Sequence, residues 1–166
     1  MRKLVLTAVF MAVGVVLSTF HITIGVAKIF PIQHLLNVLL ATLIGVRLNV
    51  LAAFGTSVFR NLYGLGTLLA FPGSMIGAFC ASWTYRKTKK LSLTALAEVI
   101  GTGIFGAILS YPVAHLLLGR EVALLTFVAP FTMSSLAGAT IAYLLLLMMS
   151  RHPYFEHIQA KLKEEI

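Results

Sequence analysis

Charge is scarce in this sequence. Charged side chains account for 11% of its 166 residues, and aspartate does not occur. A water-soluble domain carries about 25% charged residues, so this chain has too few to cover a surface that faces water. Its five acidic groups are all glutamates, which leaves paired-carboxylate hydrolysis and carboxylate-bound metal centres short of ligands. The single cysteine, Cys80, allows no internal disulfide and no thiolate metal cluster. There is no Gly-x-x-x-x-Gly-Lys-Ser/Thr loop, so the chain has no phosphate cradle with which to hydrolyse ATP. Neither a Gly-x-Ser-x-Gly elbow nor a His-Glu-x-x-His zinc motif is present. Nothing in the residues points to an enzyme, a cofactor or a bound metal.

Apolar residues, by contrast, make up 59% of the chain, and its mean hydropathy is +0.96. Soluble and disordered classes are excluded, and an integral membrane protein remains, with lipid as its solvent. The net charge of +8 is then read by location, as a mark of cytoplasmic loops rather than of a nucleic-acid partner. Met1-Arg2-Lys3 followed by an apolar run to Leu17 has the outline of a secretory signal. Similar runs recur along the whole chain, so this one is expected to be retained as the first span.

A helix needs about 20 residues to cross a bilayer core of roughly 30 Å. Six spans are expected, over 4–20, 31–45, 49–63, 68–85, 92–118 and 127–149. Arg47 and Asn49 mark a surface turn between the second and third. With the N-terminus inside, the inner segments hold Arg2, Lys3, Arg47, Arg86, Lys87, Lys89, Lys90, Arg151, Lys161 and Lys163, and the outer ones only Lys28, Arg60 and Arg120. That asymmetry satisfies the positive-inside rule with both termini cytoplasmic. The expected architecture is an all-α bundle of six transmembrane helices over residues 1–150 and a cytoplasmic tail over 151–166. In the tail Phe155, Ile158, Leu162 and Ile166 recur at helical spacing, opposite Glu156, Lys161, Lys163, Glu164 and Glu165. This is an amphipathic helix or a fraying terminus.

Helices associate in lipid through close packing, which small residues four apart permit. Gly73 with Gly77 and Ala81, Gly103 with Ala107, and Ser134 with Gly138 suit internal contacts. Ala8 and Ala12 form a similar pair on an otherwise bulky first helix. They serve internal packing or the docking of another membrane protein.

Polar residues are costly in a bundle, so their depth is informative. They gather at its outer end: Gln33, His34 and Asn37 in the second span, then Thr56, Ser57, Arg60, Asn61 and Tyr63 in the third. Thr67 follows in a glycine-rich loop, Tyr111 and His115 end the fifth span, and Phe131, Ser134 and Ser135 open the sixth. Together they suggest a pocket open to the outside, with Gly25, Gly64 and Gly66 as a lid. Interfacial residues without a ligand give the same pattern one at a time. Glu98, the one acid inside a span, pairs with a basic group near the inner surface or lines a path.

Several stretches resemble a known family. Phe30-Pro31-Ile32-Gln33-His34, Arg60-Asn61-Leu62-Tyr63-Gly64, the run Gly66 to Ser74, Glu98-Val99-Ile100-Gly101-Thr102-Gly103 and Tyr111-Pro112-Val113-Ala114 look like ThiW, the thiazole-precursor family. That family is one of the substrate-binding S components of energy-coupling factor (ECF) transporters. The resemblance implies a multi-pass protein of a prokaryotic plasma membrane. It implies a pocket for hydroxyethylthiazole, a neutral precursor of thiamine, and docking through Ala8 and Ala12 on a transmembrane coupling subunit driven by two cytoplasmic ATPases. Such a ligand needs an aromatic platform, drawn from Tyr63, Phe71, Tyr111, Phe127 and Phe131, and hydrogen bonds, drawn from Gln33, His34, Asn37 and Arg60. Another vitamin or precursor, a non-transport assembly subunit, or an intramembrane enzyme using His34 or His115 are the alternatives.

Overall fold

The computed structural model describes residues 2–24 and 27–163. Gly25, expected in the lid, and Glu164, Glu165 and Ile166 of the tail lie outside the described residues. Among those described, the chain forms seven helices and one short hairpin. Helix α1 covers Arg2–Leu17, α2 Pro31–Leu43, α3 Val46–Leu62 and α4 Ala70–Thr88. Helix α5 is continuous over Leu91–Leu117. Helix α6 covers Val128–Ser150 and α7 Pro153–Lys163. The first six each begin and end within three residues of an expected span. The hairpin departs from an all-helical expectation. Strands β1 (Ile22–Ile24) and β2 (Ala27–Ile29) pair antiparallel between α1 and α2, where isoleucine and threonine favour extended backbone.

The outside of the bundle is apolar. Val5, Val9, Leu51, Phe59, Leu93, Ile104, Leu136, Leu144 and Met148 are all exposed, on α1, α3, α5 and α6. A belt of that size has no place in water. Helices α5 and α6, at 27 and 23 residues, are long and apolar enough to cross a bilayer. Helix α2 sits at the centre, packed mainly against α6 and α4. Its 13 residues include eight that are buried. At 1.5 Å per residue it is only about 20 Å long, and a short helix is tolerated in a membrane when protein rather than lipid surrounds its ends.

The small-residue rows lie where helices meet. A Cβ on Gly106 of α5 would come within 2.7 Å of the Gly73 Cα on α4. A Cβ on Gly138 of α6 would overlap the Pro31 carbonyl oxygen and press on the Leu35 nitrogen and His34 Cβ of α2. Helix α5 widens into π-helical turns at Gly101–Gly106 and at Val113–Leu117, the second just after Pro112. Proline lacks the N–H that a regular ladder would use there.

At the far end of the bundle one expectation changes and one left open is decided. The turn between α2 and α3 is made by Gly45, whose φ of +83° suits only glycine. Arg47 is exposed beside it, but Asn49 is fully buried. Its Nδ2 donates to the Asn37 carbonyl (2.8 Å) and to Ser82 Oγ (2.8 Å), tying α3 to α2 and α4. Helix periodicity carries Asn49 inward, one turn after the loop. The tail is a docked helix: Phe155 and Leu162 are buried. Gln159 Nε2 donates to the Thr42 carbonyl at the end of α2 (3.2 Å) and to the Tyr85 hydroxyl on α4 (3.1 Å). Carbonyls in a last helical turn lack intrahelical donors, and the glutamine supplies one.

The α2–α6 contact leaves no room for a methyl group. Gly138→Ala is expected to destabilise the bundle by about 1–3 kcal/mol, the usual cost of overpacking. Thermal unfolding of the detergent-purified variant checks this, and an unchanged midpoint would contradict the contact.

Candidate substrate cavity

Helix α3 stops because Gly64 takes up a φ of +70°, and the chain turns back on itself. The amides of Leu65 and Gly66 donate to the Arg60 carbonyl at 2.8 and 3.0 Å. Asn61 Nδ2 donates to the Ser57 carbonyl (2.8 Å) and across the loop to that of Thr67 (3.2 Å). A Cβ on Gly66 would stand 3.2 Å from both Arg60 Cβ and Asn61 Nδ2, so a side chain there would crowd the turn. Opposite, Ser134 Oγ of α6 accepts from the Phe30 amide (2.8 Å), pinning the chain between β2 and α2. The Arg60 guanidinium lies over the Phe30 ring, 4.0 Å from its centroid.

These pieces enclose a cavity of about 550 Å³, within the range of small-molecule sites. It lies at the end of the bundle where α2, α4 and α6 begin, away from α7. Leu65, Leu69, Phe127 and Phe131 give it an apolar wall. Of the twelve residues expected at a binding site, Gln33, His34, Arg60, Thr67, Phe131 and Ser134 line it.

The other six lie elsewhere. Asn37 is buried beneath the cavity, donating to the Ser74 carbonyl and to Glu98 Oε1, each at 3.0 Å. Asn61 braces the loop. Tyr63 is 70% exposed. Phe71 packs on Phe54 of α3, ring centroids 5.6 Å apart, and does not line the cavity as its neighbours Ala70, Gly73 and Ser74 do. Tyr111 stacks on His115 at 5.8 Å with an interplanar angle of 5°, toward the end of α5. Depth along a helix was legible in the sequence, whereas direction around it depends on which neighbour is where.

Other residues complete the wall: Phe30, Ser74, Thr102 and Arg120. Ser74 and Thr102 sit among glycines, which read as packing. Arg120 follows α5 beside Glu121 and resembles a solvated loop charge. Phe30 carried a signal in preceding Pro31, the first residue of a buried helix.

The polar groups of the cavity are incompletely paired. Arg60 is 2% exposed. Among the described residues it donates no side-chain hydrogen bond, and its Nε is buried without a partner. Gln33 Oε1 is likewise buried and unpaired. Buried donors and acceptors are nearly always satisfied, so these two are the groups a ligand would complete. Arg60 and Arg120 line the space while no carboxylate does, which disfavours a cationic ligand. Glu98 is sealed behind the wall, fully buried. Its Oε1 accepts from His34 Nδ1 (2.8 Å), Asn37 Nδ2 (3.0 Å) and Thr102 Oγ1 (3.1 Å). It therefore meets α2 beneath the cavity rather than a basic group near the inner surface. Among the described residues no three of His, Cys, Asp and Glu gather as a metal site would require.

On α1, Ala8 and Ala12 are exposed along with Val5, Val9 and Val16, while Thr7 and Gly14 face inward. No residue of α1 lines the cavity.

An apolar-sided helical bundle that encloses a small, partly polar cavity is built to hold a molecule within a membrane. The chain belongs to the ThiW family, described as thiamine-precursor transporter protein, whose model matches residues 4–152. No curated protein and no solved structure matches it. The protein is accordingly a membrane component of thiamine-precursor transport and not an enzyme, and its cargo is a small molecule. Helix α7 lies beyond the matched region.

Asn61→Ala removes the brace of the Arg60–Thr67 turn. A net loss of about 1 kcal/mol is expected for one such bond. Hydrogen exchange at the Leu65 and Gly66 amides should speed up severalfold, with the rest of the bundle unchanged.

Proposed function

We propose that this chain is the substrate-binding S component of an ECF-type ABC transporter. It captures hydroxyethylthiazole from outside the cell and delivers it through a shared transmembrane coupling subunit driven by two cytoplasmic ATPases. The observation that carries this reading is the enclosed cavity with an unpartnered Arg60 and Gln33, in a chain with no ATP-binding motif of its own. Arg60 supplies the donor for the ring nitrogen. Phe30, Phe127 and Phe131 supply aromatic faces, and the wall of Gln33 and His34 supplies acceptors for the hydroxyl. Thr67 and Ser134 close the sides.

In this reading α1 to α6 all cross a prokaryotic plasma membrane, with both termini cytoplasmic. The basic residues at the α7 end and the cavity at the other end support that orientation. Residues 1–150 form the binding unit, and 151–166 form a cytoplasmic tail against it. The exposed Ala8–Ala12 face of α1 docks on the coupling subunit, where two backbones come close.

Equilibrium binding of hydroxyethylthiazole to the purified protein tests the assignment. Micromolar or tighter affinity is expected, and a folded sample that does not bind it would overturn the substrate. Arg60→Ala should weaken binding by on the order of 1–3 kcal/mol, the cost of losing one buried hydrogen bond to a charged group. Ala8→Leu and Ala12→Leu should leave binding intact and reduce ATP-dependent uptake in cells carrying the coupling module. Equal loss of binding and uptake in those variants would remove the docking role.

A further inference from the structure

We infer that Glu98, which does not line the cavity, is a positioning residue that sets substrate specificity through His34. This inference rests on the reading of the cavity as a hydroxyethylthiazole site.

Glu98 Oε1 accepts from His34 Nδ1 and Asn37 Nδ2 of α2 and shares the hydrogen of Thr102 Oγ1 on α5 with the Gly73 carbonyl, while Oε2 is buried without a partner. Glu98 is fully buried, and a Cβ on Gly77 of α4 would stand 2.6 and 2.7 Å from its two oxygens. The carboxylate is therefore held against a glycine wall, with no freedom to turn away. A carboxylate oxygen only accepts, so the 2.8 Å contact places the proton of a neutral His34 on Nδ1. Its other nitrogen, Nε2, is then a lone-pair acceptor. The His34 side chain is 9% exposed and lines the cavity, and Nε2 has no hydrogen-bond partner among the described residues. The ring is held by its 2.8 Å bond to Glu98, and its Cβ lies beside Gly138 of α6, where an added Cβ would stand 2.9 Å away.

His34 Nε2 thus faces the cavity as a fixed acceptor, and it accepts the hydroxyl proton of the substrate. Gln33 Oε1 is the other acceptor on this wall. An imidazole polarised by a buried carboxylate accepts more strongly than an amide oxygen. Without Glu98 the ring is free to take its proton on Nε2, and the wall would then offer a donor in place of an acceptor.

The test compares hydroxyethylthiazole with 4-methyl-5-ethylthiazole, which lacks the hydroxyl, on three proteins. The wild type should prefer the alcohol at least tenfold. His34→Phe should bring the two affinities within about twofold of each other. Glu98→Gln should reduce the preference severalfold while the affinity for the ethyl compound stays within twofold of wild type. Equal losses for both ligands in Glu98→Gln would make Glu98 a packing residue only and overturn the inference. Nitrogen-15 spectra of the wild type give a second measurement that no unfolded variant can obscure, with the His34 signals assigned by their loss in His34→Phe. A neutral ring protonated at Nδ1 is expected, and a ring protonated at Nε2 alone would overturn the inference. If the wild type binds neither ligand, the substrate assignment itself fails. The spectra still decide the tautomer.

Discussion

A carboxylate buried in a lipid-facing bundle has to be answered from within. Hydrocarbon offers no donors, so an unpaired Glu98 would cost several kcal/mol. The bonds that converge on it are therefore among the strongest demands on how α2 and α5 pack. Asn37 extends the demand, giving one hydrogen to Glu98 and another to the Ser74 carbonyl of α4. Its own carbonyl accepts from Asn49 of α3. Four helices are joined through these buried polar bonds. Dispersion packing between small residues closes the gaps but does not choose a register as sharply. Helices in lipid slide past one another at modest cost until a polar group fixes them.

The cavity follows from the same arrangement. Helix α2 is too short to reach through a bilayer, and its cavity-lining side chains, Gln33 and His34, are both in its first turn. The space over that short helix is walled by the end of α3, the start of α4 and the start of α6. A regular bundle of six long helices would have filled it with leucine. Here the chain fills part of it with the Arg60–Thr67 turn and leaves the remainder lined in part by groups without a protein partner, Arg60 Nε and Gln33 Oε1. Rigidity below and incomplete pairing above go together. The bond to Glu98 holds His34 in place, and the Phe30 ring lies against the Arg60 guanidinium. Binding then does not have to order them, which spares the entropy of fixing those side chains.

How much of this could be read in the sequence depends on what each residue's role requires. Helix positions were legible because runs of apolar residues of membrane length leave few alternatives, and Pro31, Gly45 and Gly64 mark where they stop. The polar end of the bundle was legible because depth is counted along the chain. The cavity wall was half legible. Gln33, His34, Arg60, Thr67, Phe131 and Ser134 face it, but Tyr63, Phe71, Tyr111 and His115 lie at similar depths and turn elsewhere. Their direction is set by the packing angle of neighbouring helices, which no single helix encodes. Glu98 was conspicuous as a lone acid in an apolar span. Its partner was not, because His34 and Glu98 stand 64 positions apart and belong to helices that enter the membrane from opposite sides in the proposed topology. The β-hairpin escaped notice since two strands of three residues leave no periodic trace.

The separation between α1 and the cavity bears on how such a protein could be driven. Helix α1 packs mainly on α3, and its exposed alanines lie on the side away from that contact. The cavity is formed by α2 to α6 and their loops. A partner pressing on α1 would therefore reach the cavity mainly through α3, whose last turn holds Arg60 and whose first turn holds Asn49, and to a lesser extent through α2. Asn49 is bonded to α2 and α4, which makes α3 stiff at that end and resistant to sliding alone. Force applied at α1 is expected to pass to the polar core as a whole. That favours movement of the bundle as one body over local prying at the site.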